Sequence, residues 1–405
     1  MKKQIAIIGG GPSGLMAADI LSGNGCNVTI YERKPTFGRK FLMAGRGGLN
    51  ITHSENLFDF IKKYGVNASI FEKILGDFSP KDLRDWCEIL GEKTFIGSSG
   101  RVFPRSFKAS PLLRAWLVRL KKQKVIFKLN YDWKGWDKNN LVFKTNNQDI
   151  FIQADITLLS LGGASWPNLG SDGSWIKIFE KQGLETSPLR PSNCGFVVEW
   201  SDIFSKRFEG KSLKSVTLSF KDRKLKGEFV ITKNGVEGSS IYALSSFMRE
   251  DINIKGYTEL TLDLKPDLDF EEIQKRLQKP KSKLTMSNYL RKTLKLSDVA
   301  IGLLMELSGS KRLNNLTTEE ITSSIKFYKL ILKTTFTIDR AISTAGGVTF
   351  NSIDENFMLI NKQNVFVAGE MLDWEAPTGG YLLQACIANG AYVANTIIKK
   401  FKLSK

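Results

Sequence analysis

Gly9-Gly10-Gly11-Pro12-Ser13-Gly14 lies between Ile5-Ala6-Ile7-Ile8 and Leu15-Met16-Ala17-Ala18. Ile5 to Ile8 predicts a short buried strand. Pro12 through Ser22 predicts a helix, with Leu15, Ala18 and Leu21 at helical spacing on its apolar face. Val28 to Tyr31 predicts a second strand ending in Glu32 and Arg33. This is a strand–turn–helix–strand unit with Gly9-x-Gly11-x-x-Gly14 in its turn. The three glycines serve different ends. Gly9 permits the tight turn, Gly11 lets backbone approach a pyrophosphate, and Gly14 lets helix and strand pack closely. The helix N-terminus at Pro12 and Ser13 presents free N–H groups and partial positive charge to phosphate. Glu32, 18 residues beyond Gly14, can accept hydrogen bonds from ribose hydroxyls. A dinucleotide site follows; the alternative is a glycine-rich turn without a ligand.

The fingerprint alone does not separate NAD from FAD. Residues 38–50 do more. Arg39, Lys40, Gly45, Arg46, Gly47, Gly48 and Asn50 form a glycine- and cation-rich stretch suited to a second phosphate and an isoalloxazine ring. A flexible basic surface loop is the plainer reading. Far along the chain the pattern recurs. Asn364 to Glu370 predicts a buried strand ending in Gly369 and Glu370. Thr378-Gly379-Gly380-Tyr381-Leu382 then opens a helix with Ala385, Ala388 and Ala391. Such a helix start can stabilise negative charge on a reduced flavin. Ala154 to Gly163 predicts an apolar strand ending in Gly162 and Gly163, and Val125 to Leu129 another. Trp133, just beyond, is placed to meet adenine through its backbone. These pieces favour FAD.

The chain resembles the BaiN/YhiN-like bacterial flavoproteins, also described as aminoacetone-oxidase-family FAD-binding enzymes. The resemblance is carried by Gly9–Gly14, Gly38-Arg39-Lys40-Phe41-Leu42-Met43-Ala44-Gly45, Gly100-Arg101-Val102-Phe103-Pro104, Ser343-Thr344-Ala345-Gly346-Gly347-Val348, Gly369-Glu370 and Thr378-Gly379-Gly380-Tyr381. It implies an NAD(P)/FAD-dependent oxidoreductase of the α/β class. Its FAD-binding domain, of the two-dinucleotide-fold Rossmann type, is interrupted by a β-rich, barrel-like domain that carries a helical subdomain. Many members have a cysteine after the GRK segment. This chain has Ala44-Gly45-Arg46-Gly47-Gly48-Leu49-Asn50 instead and looks like the GRGGLN subgroup, so thiol chemistry is not carried over.

The middle of the chain supports that layout from its own pattern. Val216–Phe220, Gly227–Ile231 and Leu260–Leu264 alternate as strands. Phe270–Leu277 and Leu303–Leu307 have helical spacing, and Thr317 or Thr318 caps a further helix. Lys279 to Lys283 is the best linker. The expected division is 1–195 and 341–405 for the FAD domain, 196–267 and 331–340 for the β-rich domain, and 268–330 for the helical subdomain.

Composition narrows the function classes. At 405 residues, 42% hydrophobic and 25% charged, the chain is ordinary for a globular protein of two or three domains. Four cysteines with no CxxC pair give neither a zinc knuckle nor a dithiol motif. One histidine, His53, excludes multi-histidine metal sites, and no metal site is expected. His53 is the weak candidate for a catalytic acid or base; a structural histidine is the plainer reading. Trp166, Trp374 and Tyr381 could line a planar pocket or simply pack. The net charge of +18 is scattered, with short runs at Lys221–Lys226 and Lys279–Lys283. Met1-Lys2-Lys3 before Ile5–Ile8 looks like a secretion signal, but the glycines interrupt it. A cytoplasmic protein without a membrane span is expected.

The expected activity is hydride or electron transfer through FAD. Gly162-Gly163-Ala164-Ser165 lacks a third glycine and a following acid, so NAD(P)H is expected as a transient reductant over the flavin. The expected partner is a small-molecule substrate. Two alternatives stand beside it: an RNA-acting flavoprotein, on the strength of the charge, and a non-catalytic flavin-binding protein. Nothing in the residues speaks to oligomeric state.

Overall fold

Four short apolar runs and one half-apolar run build the central sheet. The computed structural model describes residues 3–146, 148–281, 283–308 and 313–403. Met1 and Lys2 of the leader-like start, and Ser282 of the expected linker, lie outside them. Five parallel strands are ordered Val365–Val367, Ile156–Leu159, Gln4–Ile8, Asn27–Glu32 and Ile126–Leu129. Ile7 lies opposite both Leu158 and Ile30, and all three are fully buried. Layers cover both faces of such a sheet, so its inner strands read as continuous apolar runs rather than alternation. The expected strand Asn364–Glu370 is shorter than its apolar pattern. It ends at Val367, and Gly369–Met371 forms a 3-10 turn.

Helix Pro12–Gly23 packs on this sheet, and helix Tyr381–Phe401 packs on that helix. Their closest approach is at Gly390, where a Cβ would lie 2.3 Å from the Ser13 carbonyl oxygen. An antiparallel three-stranded sheet, Asp132–Asp137, Asn140–Thr145 and Gln148–Ile152, extends the connection between two central strands. A second small sheet joins Thr52–His53, Arg101–Pro104 and Thr94–Ile96.

The chain divides into two units, Met1–Pro191 with Ile338–Lys405, and Ser192–Thr337. These boundaries differ by a few residues from those read in the sequence, for hydrogen-bonding reasons. Gly195 already accepts from Phe336 N in the second unit, while the Asp339 carbonyl accepts from Trp166 N in the first. The second unit is a six-stranded antiparallel sheet: Phe196–Val197, Gly235–Glu237, Arg223–Thr232, Ser212–Phe220, Thr258–Asp263, Tyr328–Leu332. The chain leaving the last strand bridges Thr335 to Phe196, which closes the sheet on itself like a barrel. Helices Phe270–Leu277, Met286–Leu294, Asp298–Ser308 and Thr318–Lys326 form its helical part. Thr317 is the cap: its hydroxyl accepts from Glu320 N while the Glu320 carboxylate accepts from Thr317 N. The expected helical range 268–330 runs too far. Tyr328, Leu330 and Leu332 are buried on alternate positions, so the sixth strand begins at Tyr328.

Candidate cofactor cleft

The glycine turn leaves the sheet where parallel strands end, the usual place for a ligand in such sheets. Gly9 has φ +107, and a Cβ there would lie 2.2 Å from the Ser160 carbonyl oxygen. A Cβ on Gly14 would lie 2.2 Å from the Gly9 carbonyl oxygen. Both positions are closed by backbone. Gly11 differs: nothing lies within 4 Å of its Cβ position. Gly11 also N-caps helix Pro12–Gly23, which has no side-chain cap, so its first N–H groups face the cleft unpaired by any capping oxygen.

Glu32 does more than the ribose contact read from its spacing. Its Oε2 accepts from Gly10 N at 2.9 Å and its Oε1 from Lys34 N at 2.9 Å. Burial pushes its carboxyl up, and these two N–H donors pull the other way. Glu32 therefore braces the turn it faces.

On another wall, four distant segments meet. Lys40 Nζ donates to Glu370 Oε2 at 2.7 Å, Glu370 Oε1 at 2.9 Å and Ser165 Oγ at 2.6 Å. Glu370 also accepts from Thr344 N at 3.1 Å. The Thr344 hydroxyl accepts from Ala164 N at 2.9 Å and Ser165 N at 3.2 Å. Glu370 is 8% exposed, Ser165 and Thr344 are fully buried. Gly163 is needed here, because a Cβ would lie 2.3 Å from Thr344 Oγ1. Sequence reasoning found Lys40, Gly163 and Glu370 but treated neither Ser165 nor Thr344 as part of a site. The TAGG run carried the only hint.

At the opposite end Arg33 makes a bidentate pair with Asp172, Nη1 to Oδ1 at 2.8 Å and Nη2 to Oδ2 at 2.7 Å. Burial alone would raise the Asp172 carboxyl, but the Arg33 and Ser174 donors outweigh it and hold it at about 2. A carboxyl depressed in the folded state contributes stability above its unfolded value of about 4, and loses it as pH falls through its folded value. Asp172→Asn is therefore expected to destabilise the first unit by about 1 kcal/mol at pH 7, a figure kept small by solvent screening of this part-exposed pair. The gap should close near pH 2. Urea midpoints of both proteins across pH 2 to 7 check this; a constant gap would refute it.

The cleft is lined by Gly9, Gly11, Pro12, Ser13, Glu32, Arg33, Arg39, Lys40, Trp133, Gly162 and Glu370, and by Asp172, Trp175 and Cys386, which sequence reasoning missed. Arg39 Nε, Trp133 Nε1 and Ser171 Oγ, all on this lining, are buried without a hydrogen-bond partner. Orphaned donors in a cleft with an open-sided glycine turn and a free helix N-terminus fit a polar, phosphorylated dinucleotide.

The other expected residues do not line the cleft. Gly14, Gly163 and Gly369 serve close packing; a Cβ on Gly369 would lie 2.2 Å from Ser13 Oγ. Gly45 packs on Ala109 and Gly48 on Phe107, while Arg46 is exposed, Gly47 opens to free space and Asn50 is half-buried. Thr378 and Gly379 are half-buried, and Leu382 packs partly buried against the core. Gly380 lets the Tyr381 helix start against the Thr52 backbone, 2.6 Å from its Cβ position. Trp374 is 2% exposed and packs against Phe71.

His53 is held by backbone. Its Nε2 lies 3.0 Å from the Ser99 carbonyl oxygen and its Nδ1 3.2 Å from Glu55 N. A neutral ring protonated at Nε2 satisfies both, and it stacks on Tyr381 at 5.5 Å. Burial and the Glu55 carboxylate push the Tyr381 phenol well up. Among the described residues no cluster of His, Cys, Asp and Glu could hold a metal, and no helix is long and apolar enough to cross a membrane.

A family model described as HI0933-like protein Rossmann domain matches residues 3–396. The ribosomal RNA dihydrouridine synthase of Escherichia coli (strain K12) is 23% identical over 385 residues, covering 93% of this chain and 94% of that protein. The Haemophilus influenzae protein of the same name is 23% identical over 409 residues, with the same coverage. Among solved structures, 3-ketosteroid Δ1-dehydrogenase from Sterolibacterium denitrificans superposes with TM-score 0.52 at 13% identity, covering 98% of this chain and all of that one. That likeness is one of fold.

Proposed function

The chain belongs to the HI0933-like Rossmann family, and from that premise we propose that it is an FAD-dependent oxidoreductase that takes hydride from NAD(P)H and reduces an unsaturated base in RNA. The observation that carries the cofactor is the open side of Gly11 beside an uncapped helix N-terminus, with Glu32 and the Lys40–Glu370 pair on the flanking walls. The acceptor is supported by the names of two relatives matched over nearly their full length, and by the +18 charge. A small organic acceptor, the reading that composition and motifs favour, is the second one; the cleft is compatible with either.

Bound FAD supplies hydride transfer at N5. The chain does the rest. The Gly9–Gly14 turn and the first N–H groups of helix Pro12–Gly23 would hold the pyrophosphate, Glu32 would accept from the adenosine ribose, and Arg39 and Trp133 would offer donors along the cleft. Reduction of a pyrimidine C=C adds one hydride, which originates from NAD(P)H as it becomes NAD(P)+, and one proton, which is drawn from solvent water. We assign His53 a structural role and not the proton delivery, a reading supported by the contacts of Nε2 with the Ser99 carbonyl and Nδ1 with Glu55 N. His53→Gln is accordingly expected to keep turnover within about 2-fold of the parent, well short of the 10²–10⁴-fold loss typical of a deleted general acid.

Stopped-flow absorbance with NADH and NADPH tests the donor, and reoxidation by a uridine-containing RNA transcript tests the acceptor. A flavin that bleaches with neither nucleotide sinks the donor. A reduced flavin reoxidised by small unsaturated compounds and not by RNA returns the assignment to the second reading.

A further inference from the structure

The sheet of Thr52–His53, Arg101–Pro104 and Thr94–Ile96 carries a face that the cofactor cleft does not use. Phe95 lies directly opposite Phe103. Alternation puts Lys93 on the Phe95 side of its strand, and Arg101 and Arg105 on the Phe103 side of theirs. Arg105 N donates to the Lys93 carbonyl oxygen at 2.8 Å, which carries the pairing one step past the strand ends. Phe107 completes a triangle of rings, with centroids 5.0 Å from Phe95 and 5.5 Å from Phe103. Its ring is 49% exposed. Aromatics thus occupy the middle of this face and cations its ends.

Most of the charges here lack an ion-pair partner. Among the described residues Arg101, Arg105 and Lys108 form no ion pair; Lys93 reaches Glu88 only at 3.9 Å, both exposed. Glu92 accepts from Ser106 Oγ at 3.0 Å. An exposed ring at Phe107, backed by the half-buried Phe95 and Phe103 and flanked by cations, matches a chain of bases joined by phosphates: rings stack on any base, and cations take the backbone. The face also touches the cleft's own support. Gly48, in the loop following the helix that bears Lys40, lies against Phe107, 3.2 Å from where its Cβ would be.

We propose that this face binds a single-stranded stretch of RNA, with bases on Phe95 and Phe107 and phosphates on Lys93, Arg105 and Lys108. This rests on the RNA reading of the acceptor, and the experiment separates the two. Binding of a fluorescent uridine-rich oligoribonucleotide to the FAD-loaded full-length protein is followed by anisotropy across a salt series. R105E/K108E is expected to weaken binding at least ~10-fold and to reduce the salt slope by about 1.4, two phosphate contacts on a single strand being lost. Phe107→Ser is expected to weaken it roughly 5- to 10-fold with the slope unchanged, as for one lost stacking contact. K224E/K226E, on the second unit, should bind like the parent, and flavin absorbance should be intact throughout.

If the parent binds and the first two variants bind equally well, the face is overturned while the RNA reading survives. A K224E/K226E loss as large as that of R105E/K108E also overturns it, since total charge would then explain binding. So does a loss of flavin absorbance that accompanies weaker binding. A parent that does not bind RNA at low salt removes the RNA reading and the face together.

Discussion

Gly11→Val should fold and lose FAD, whereas Gly9→Val should fail to fold. Both residues belong to one turn, and their surroundings separate them. At Gly9 a side chain would strike the Ser160 carbonyl oxygen, and φ +107 is closed to a β-branched residue. Ser160 N donates to the Ile8 carbonyl at 2.8 Å, so the obstacle is part of the central sheet and cannot step aside. Strain of about 1–3 kcal/mol and overpacking of similar size together approach the whole stability of many domains. At Gly11 the backbone is φ −84, ψ −179, which valine adopts freely, and the space beyond is open. The cost to folding there is about 1 kcal/mol, that of a poor N-cap. The isopropyl group stands where pyrophosphate must approach, so FAD affinity should fall at least ~100-fold, about 2.7 kcal/mol. Thermal unfolding with flavin content after reconstitution reads both. Gly11→Val with undiminished FAD affinity would remove the cleft as the cofactor site.

Lys40→Met is expected to destabilise the first unit by about 3 kcal/mol, the low end of the range for removing one partner of a buried ion pair, because Lys40 itself is 24% exposed. Lys40 directs three donors at Glu370 and Ser165, and without them the Glu370 carboxylate keeps only Thr344 N among these partners. Glu370 is 8% exposed, so water replaces little of what is lost. Adding Glu370→Gln removes the stranded charge. The double variant K40M/E370Q should therefore be more stable than K40M alone, by about half the loss or more. Chemical denaturation of the parent, K40M, E370Q and K40M/E370Q gives this coupling. Additive losses would mean that the two residues do not act as a pair.

What was legible in the sequence was local. Gly9, Gly11 and Gly14 can be read because a tight strand–helix turn restricts φ and side-chain volume within six residues. The inner parallel strands can be read because burial on both faces favours apolar runs, whereas the edge strand Ile126–Leu129 is only half-buried. The barrel strands alternate because one face is wet, and Thr317 is a cap because its partner Glu320 lies three residues on. The end of each element was less legible. Glu370 falls in a 3-10 turn beyond its strand, and Tyr328 begins a strand inside a range read as helical.

The candidate site itself depended on tertiary structure. Arg33 and Asp172 are 139 residues apart, Lys40 and Glu370 330. Nothing periodic links such pairs; the sheet order brings them together. Position alone offered His53 as an acid or base; its contacts with the Ser99 carbonyl and the Glu55 amide are set by the fold. Gly45, Gly48 and Gly380 looked like cofactor glycines, and a neighbouring chain segment accounts for each. The sequence by itself determined the backbone path that can cradle a dinucleotide, because that path is a short-range steric matter. Only the tertiary structure decided which charges pair, which donors are left over and which glycines face the cleft, because those are set by distances between residues the chain keeps far apart.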